Sequence, residues 1–121
     1  MTWRDESDSR IFEQSTTDIW EAIAECTRAL LSETGVTKES IKGIGIDATC
    51  SLAVTDFEGN PVCVTKGKGC GEYGQRNIIL WADHRAENEA STINATASVV
   101  LDYVGGSMSV RVMATSWSLY H

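Results

Sequence analysis

One short segment of the chain combines an aromatic ring with two opposite charges. Trp81-Ala82-Asp83-His84-Arg85 directly follows an apolar run and precedes a helical pattern, and α/β folds collect ligand-binding groups where strands end and helices begin. An indole offers a flat apolar face to the C–H side of a sugar, while a carboxylate and a guanidinium hold its hydroxyls. In the alternative interpretation, Asp83 only caps the helix and Arg85 is solvated, and on residue types alone this interpretation is favoured.

A second polar segment offers a carboxylate and two hydroxyls between two predicted strands. It consists of Asp47-Ala48-Thr49-Cys50-Ser51, and a polar turn without any ligand explains these residue types equally well. Cys50 and Ser51 could be nucleophiles, but neither has a histidine at a recognisable motif spacing. Hydrolase catalysis is therefore disfavoured.

A glycine motif over residues 69–74 has the G-x-G-x-x-G spacing of dinucleotide-binding loops. Such loops bind a pyrophosphate only when the glycines open a helix whose first amides face the phosphate. A strand is predicted to follow here, so we interpret the motif as a flexible loop. The classical phosphate loop G-x-x-x-x-G-K-[ST] is absent from the sequence.

The apolar periodicity predicts an α/β layer with a mixed sheet, in the order helix, strand, hairpin, strand, helix. The first helix should run over residues 16–33, with a capping sequence at Ser15 and a glycine stop at Gly35. A helical turn near residues 38–42 is also expected. The later elements are a strand over residues 43–48, a hairpin that turns at residues 56–60, a strand over residues 77–81, and a helix through Ile93, Ala97, Val100 and Val104 that ends at Gly105.

Composition limits the classes of partner. The 121 residues carry 17 acidic against 10 basic side chains, a net charge of -7, which argues against nucleic acid or anionic membranes as partners. No signal peptide or membrane-spanning run is present in the sequence. The four cysteines lack a CxxC pair, which is typical of reduced thiols in a cytoplasmic protein.

Four ordered segments together resemble the FGGY family of carbohydrate kinases, and within it the eukaryotic D-ribulokinase type. They are Glu13-Gln14-Ser15 with Asp18-Ile19-Trp20, residues 43–52, residues 77–86, and Tyr103-Val104-Gly105-Gly106. The resemblance covers residues 3–110. It is more specific than any one motif because the segments recur in the same order.

The resemblance implies a ribonuclease H-like, actin-like ATPase fold with two such domains, in which the N-terminal domain holds the sugar. It also implies ATP and Mg²⁺ between the domains of the complete enzyme, and a small pentulose substrate, D-ribulose foremost. The residues that it assigns to the sugar pocket are Thr49, Cys50, Ser51, Trp81, Asp83 and Arg85. The resemblance does not predict an oligomeric state.

Departures from the family pattern are equally informative. The family's opening Asp-x-Gly-Thr turn and its second domain, which carries the catalytic base, are missing. Residues 1–110 are therefore expected to be a partial N-terminal domain, residues 111–121 a divergent tail, and the chain inactive alone, binding neither ATP nor Mg²⁺. Unpaired sheet edges are expected to lower its solubility. The alternatives are a non-catalytic sugar-binding or kinase-pairing module, or a truncated remnant.

Overall fold

The computed structural model describes residues 1–109 as a small α/β arrangement. Its elements are β1 (Trp3–Arg4), β2 (Phe12–Gln14), α1 (Thr16–Thr34), a 3₁₀ helix (Lys38–Ser40), β3 (Leu52–Ala53), β4 (Ile78–Ile79), α2 (Glu87–Ala95) and a second 3₁₀ helix (Val99–Val104). Within these residues no helix is long and apolar enough to cross a bilayer. The predicted divergent tail, residues 111–121, lies outside the described residues.

The strands form one four-stranded sheet in the order β1-β2-β4-β3. Every pairing is antiparallel: Trp3 lies opposite Glu13, and Ile79 lies between Glu13 and Leu52. The prediction of a mixed sheet is therefore wrong for the described residues. The prediction fails because it counted residues 43–48 as a further strand of the sheet, and these residues do not pair with it.

Helix α1 confirms the predicted first helix. The Ser15 hydroxyl accepts a hydrogen bond from the Asp18 amide at 3.2 Å, and Gly35 closes the helix in the left-handed conformation with φ 66°. The apolar face of α1 remains open in the described residues, since Ile23 is 44% exposed and Leu30 59% exposed. Local capping therefore fixes where the helix begins and ends, while residues 1–109 leave most of its apolar face exposed.

The segment over residues 43–48 is not a strand, contrary to the prediction. Ile44 and Ile46 are 86% and 78% exposed, and neither is hydrogen-bonded into the sheet of the described residues. A β pattern becomes a strand only when a neighbour supplies the ladder of hydrogen bonds. The alternation of glycine and isoleucine suits a strand that packs one face against a neighbouring surface. Residues 1–109 do not provide that surface.

The predicted hairpin is confirmed. Thr55 bridges Pro61, and the Val62 amide donates to the Val54 carbonyl at 3.2 Å. Gly59 takes the turn position at φ 87°, where a side chain would be strained. The hairpin strand that holds Val62 continues toward the glycine-rich loop and so places that loop beside the sheet.

The glycine-rich loop folds back on this hairpin strand. The Gly71 amide donates to the Cys63 carbonyl at 2.9 Å, and the Cys63 amide donates to the Glu72 carbonyl at 2.8 Å. Two residues thus face one, a β-bulge in which Gly71 at φ 86° takes the left-handed position. Strand β4 comes next and not a helix, as predicted, so the motif lacks the helix that a pyrophosphate site needs.

The second predicted helix is interrupted. Helix α2 stops at Ala95, and a separate 3₁₀ helix ends at Gly105, the predicted stop. Between them, Ala97 adopts φ 48°, while the hydroxyls of Thr96 and Ser98 bind nearby backbone groups. Such side chains compete with helical hydrogen bonds, and this competition explains why one continuous helix was the wrong prediction.

The buried interior is as polar as it is apolar. The buried apolar side chains of the described residues are Ile11, Ile78, Ala90 and Leu101, and the buried polar ones are Glu13, Ser15, Asn77 and Asp83. Buried polar groups persist only where hydrogen bonds compensate for lost hydration. The partners of the two carboxylates identify the candidate site.

Candidate functional site

Arg85 is the centre of a buried ionic cluster, which consists of Arg85, Asp83 and Glu13. Its guanidinium donates from Nη2 to Asp83 Oδ2 at 2.7 Å and to Glu13 Oε1 at 2.9 Å, and from Nη1 to the carbonyl of Val64 at 3.0 Å. It thereby joins β2, the turn after β4 and the hairpin strand. A planar fork of donors suits such multiple contacts better than an ammonium would.

Glu13 approaches the guanidinium from the middle of β2. Its side chain is 2% exposed, and both oxygens are used: Oε1 by Arg85 and Oε2 by the Thr65 hydroxyl at 2.7 Å. Side chains alternate along a strand, so Glu13 points to one face of β2 while Phe12 and Gln14 point to the other. A carboxylate buried to this extent is out of reach of a ligand in this conformation.

Asp83 closes the cluster from the turn that joins β4 to α2. Its Oδ2 accepts from the Phe12 amide at 2.8 Å, and its Oδ1 accepts from the Arg85 amide at 2.9 Å. Two backbone bonds hold the same turn against β2, from Leu80 to the Phe12 carbonyl and from His84 to the Arg10 carbonyl. The turn is thus fixed at both of its ends.

The electrostatics of the cluster favour the charged form of its cation. Burial by itself would lower the pKa of Arg85, but the hydrogen bonds and negative charges of Asp83 and Glu13 together raise it above its ordinary value. In the described part of the chain, every buried side-chain nitrogen or oxygen has a hydrogen-bond partner. The cluster is a satisfied network with one formal negative charge in excess.

Trp81 and Ser51 meet at the edge of this turn. The Trp81 amide donates to Ser51 Oγ at 3.1 Å across 30 residues of sequence, and Thr49 Oγ1 lies 3.4 Å from Ser51 Oγ. Trp81 is 40% exposed, and Cys50 is an exposed free thiol. The two predicted polar segments therefore come together through the hydrogen bond between the Trp81 amide and Ser51.

The six residues predicted for the pocket divide into two groups. Thr49, Cys50, Ser51 and Trp81 are exposed or half-buried, whereas Asp83 and Arg85 are bound within the ionic cluster directly behind Trp81. The first group can contact a ligand in this conformation. The second group holds the turn.

Sequence reasoning missed the structural roles of Glu13 and Asn77. Asn77 is fully buried, accepts from the Thr16 amide at 2.9 Å and donates to the Val54 carbonyl at 3.0 Å, and so ties α1 to the sheet. A polar residue directly before an apolar run is a weak signal for such a role. Glu13 stood in a family motif, but nothing in its spacing indicated a partner 72 residues away.

A cavity of about 670 Å³ lies beside the ionic cluster. Arg85 contributes to its wall, together with apolar side chains such as Val54, Val64 and Ile79, whereas Thr49, Ser51 and Trp81 do not. The cavity is therefore lined by other residues than those predicted beside Trp81, apart from Arg85.

Curated relatives match this chain over most of its length. The D-ribulokinase YDR109C of Saccharomyces cerevisiae is 43% identical over 112 residues, which are 90% of this chain and 15% of that protein. The human FGGY carbohydrate kinase domain-containing protein is 43% identical over 102 residues, 84% of this chain and 17% of that protein. The ribulokinase of Halalkalibacterium halodurans is 30% identical over 112 residues, 88% of this chain and 20% of that protein.

The chain is homologous to part of the FGGY carbohydrate kinases. This confirms the resemblance deduced from the four ordered motifs, although no protein-family model matches the chain. The chain spans 15% to 17% of the length of the first two of these relatives. As an FGGY kinase segment, it accounts for a small part of the proteins that carry that name.

A kinase of the FGGY type uses a nucleotide, and the Mg²⁺ of Mg²⁺-ATP requires oxygen ligands such as carboxylates. Within residues 1–109 no group of three or more His, Cys, Asp or Glu side chains could hold a metal ion. The two buried carboxylates of the cluster are already neutralised in part by Arg85. These residues do not fit a magnesium nucleotide, and no step of phosphoryl transfer is assigned to them.

Proposed function

We propose that this chain forms part of the acceptor-sugar pocket of an ATP-dependent carbohydrate kinase that phosphorylates a pentulose, D-ribulose first among them. Support comes from relatives named D-ribulokinase, ribulokinase and FGGY carbohydrate kinase domain-containing protein. In the same proposal the complete enzyme is cytoplasmic and uses ATP and Mg²⁺, and the 121-residue chain alone is inactive.

The observation that carries the proposal is the contact between Ser51 and Trp81. Two segments separated by 30 residues meet there, and they combine a tryptophan that is 40% exposed with residues that carry hydroxyl groups. Carbohydrates are held by this combination, in which an aromatic face packs on C–H groups and fixed polar atoms bind the hydroxyls. A net charge of -7 agrees better with a neutral sugar than with a polyanion.

Within this proposal the predicted residues have two roles. Trp81 packs against the sugar, and Thr49, Cys50 and Ser51 line the pocket beside it. Asp83 and Arg85 act on the pocket by holding the turn that carries Trp81, since their polar atoms are committed to the ionic cluster. Phosphoryl transfer depends on positioning of the acceptor, so a rigid turn is chemically useful.

The proposed domain is a partial ribonuclease H-like, actin-like fold over residues 1–110, followed by a divergent tail over residues 111–121. Support for the incomplete fold lies in the open apolar face of α1 and in the exposed isoleucines at 44 and 46. Both features are expected where a sheet lacks neighbouring strands.

The first test is to sequence the native transcript across both ends of this reading frame and express the protein that it encodes. With saturating ATP, the longer protein should phosphorylate D-ribulose in preference to other pentuloses and to glycerol. Trp81→Ala should raise the KM for the sugar at least about tenfold and leave the KM for ATP unchanged. Equal loss of both would count against a sugar-pocket role.

The same test also covers the non-catalytic alternative. If the encoded protein is the 121-residue chain itself, phosphoryl transfer is ruled out, and a sugar-binding module should show a cooperative thermal transition that rises with pentulose concentration. Absence of any folded transition would leave only a truncated remnant.

A further inference from the structure

We infer that Glu13 is a positioning residue, which fixes the Trp81 turn through Arg85 and Asp83. Here the Trp81 turn means residues 80–84. The inference rests on the proposed function for its ligand and deepens it, because it extends the sugar pocket to a buried residue that no sugar could touch.

The contacts form a closed ring that begins and ends on β2. Glu13 binds Arg85 at 2.9 Å, Arg85 binds Asp83 at 2.7 Å, and Asp83 accepts the amide of Phe12, the residue before Glu13, at 2.8 Å. Within the turn, the Asp83 amide donates to the Leu80 carbonyl at 2.9 Å. Trp81 lies between these two residues, so the ring determines the direction in which it leaves the sheet.

The burial and charge of the ring indicate that it fixes the geometry of the turn in addition to stabilising the fold. Glu13 and Asp83 are 2% and 1% exposed at the side chain, and Arg85 is 21% exposed. Desolvating such a set of charges roughly offsets their attraction, and well-packed apolar residues would often serve stability equally well. What the charged ring adds is direction, because a bidentate guanidinium accepts few arrangements of its partners.

The opposite side of the Trp81 turn is joined to the neighbouring strand β3. Ser51 accepts the Trp81 amide at 3.1 Å, and the next residue, Leu52, lies opposite Ile79 of β4. The ring therefore holds the turn from the β2 side, and β3 holds it from the other. In positioning of reactants, a displacement of about 1 Å can cost about a hundredfold in rate.

The decisive measurement is amide hydrogen exchange, followed by NMR on the 121-residue chain, with Glu13→Gln compared against Asp56→Asn. Both variants change a carboxylate to an amide, but Asp56 binds only the exposed hairpin turn. We expect Glu13→Gln to accelerate exchange of the Trp81 amide at least about tenfold, as for loss of a charged hydrogen bond. The amide of Ile23 in α1 should change far less, and Asp56→Asn should leave the Trp81 amide unchanged.

Selectivity separates positioning from general stabilisation. If Glu13→Gln accelerates exchange at Trp81 and at Ile23 by the same factor, or leaves both unchanged, the inference is overturned. Should Glu13→Gln not fold, Thr65→Val removes only the hydrogen bond to Glu13 Oε2 and should give a smaller, equally selective change at Trp81.

A second readout separates this inference from the proposed function. In the longer kinase, Glu13→Gln should raise the KM for the pentulose at least about tenfold with an unchanged KM for ATP, although Glu13 touches no sugar. If the wild-type protein uses no pentulose, the proposed function fails, while selective exchange at Trp81 still supports positioning by Glu13. If the wild type uses a pentulose and Glu13→Gln has the same sugar KM, positioning by Glu13 is refuted and the proposed function stands.

Discussion

Replacement of Arg85 by Met tests whether the ionic cluster holds this part of the chain together. The substitution keeps an unbranched side chain but removes the donors to Glu13, Asp83 and the Val64 carbonyl. Two carboxylates that are 2% and 1% exposed would then remain without a cation. Breaking a buried ion pair in this way costs about 3–5 kcal/mol, a large share of the roughly 5–15 kcal/mol that stabilises an ordinary domain.

The assay is urea denaturation followed by far-ultraviolet circular dichroism. Arg10→Met is the matched control, because Arg10 forms an ion pair with Asp8 at 2.7 Å on the surface, and such pairs contribute little. Arg85→Met should therefore lower the free energy of unfolding much more than Arg10→Met does. Equal losses for the two variants would refute the reasoning.

Three further substitutions test individual contacts. Asn77→Ala leaves the first amide of α1 unpaired and removes one of the two donors to the Val54 carbonyl, so urea denaturation should show a loss of about 1–3 kcal/mol. Gly74→Ala would place a Cβ 3.0 Å from Cys63 Cβ, whereas Gly69→Ala meets nothing within 4 Å; the first should cost about 1–3 kcal/mol in the same assay, and an equal effect of both would contradict the geometry. Hydrogen bonds from Arg10 lower the pKa of Asp8 from 3.8 to about 2. The stability that Asp8→Asn removes should therefore be present above pH 3.8 and vanish toward pH 2. Urea denaturation of the wild type and of Asp8→Asn across this pH range checks the prediction.

The features that sequence reasoning predicted correctly are those with local causes. The helix cap at Ser15 and the stop at Gly35 depend on residues within one turn of themselves. The hairpin turn at Gly59 likewise depends on its own conformation at φ 87°. None of these features needs a partner that is distant in the chain, so the local sequence is sufficient to predict them.

Two wrong predictions of secondary structure have related causes: one element lacks a packing partner, and the other meets side chains that compete for its backbone hydrogen bonds. Residues 43–48 carry a strand pattern, yet Ile44 is 86% exposed because no neighbour in residues 1–109 covers it. The helix predicted through Ala97 is broken by hydroxyls at Thr96 and Ser98 that bind the backbone locally. Periodicity shows which face an element could bury, but it does not supply the surface against which it is buried.

The candidate site was half predictable for the same reason. Trp81 and Ser51 were assigned to the pocket by the family resemblance, because their residue types alone are explained at least as well by a helix start and a polar turn. Glu13 was not, because its role exists only through a contact 72 residues away. The family resemblance named its motif without explaining it, and the geometry of the ionic cluster supplies the physical reason.

The two sides of the candidate pocket are therefore held by different kinds of force. The Trp81 side depends on a closed ring of buried charges within β2 and the turn after β4, and this ring is complete inside the described residues. The Ser51 side depends on backbone pairing instead, because Leu52 lies opposite Ile79 of β4 and Ser51 accepts the Trp81 amide. Residues 43–48, which precede it, carry exposed isoleucines. A guanidinium accepts few arrangements of its partners, so the charged ring restricts the direction of the Trp81 turn more closely than the pairing of β3 does.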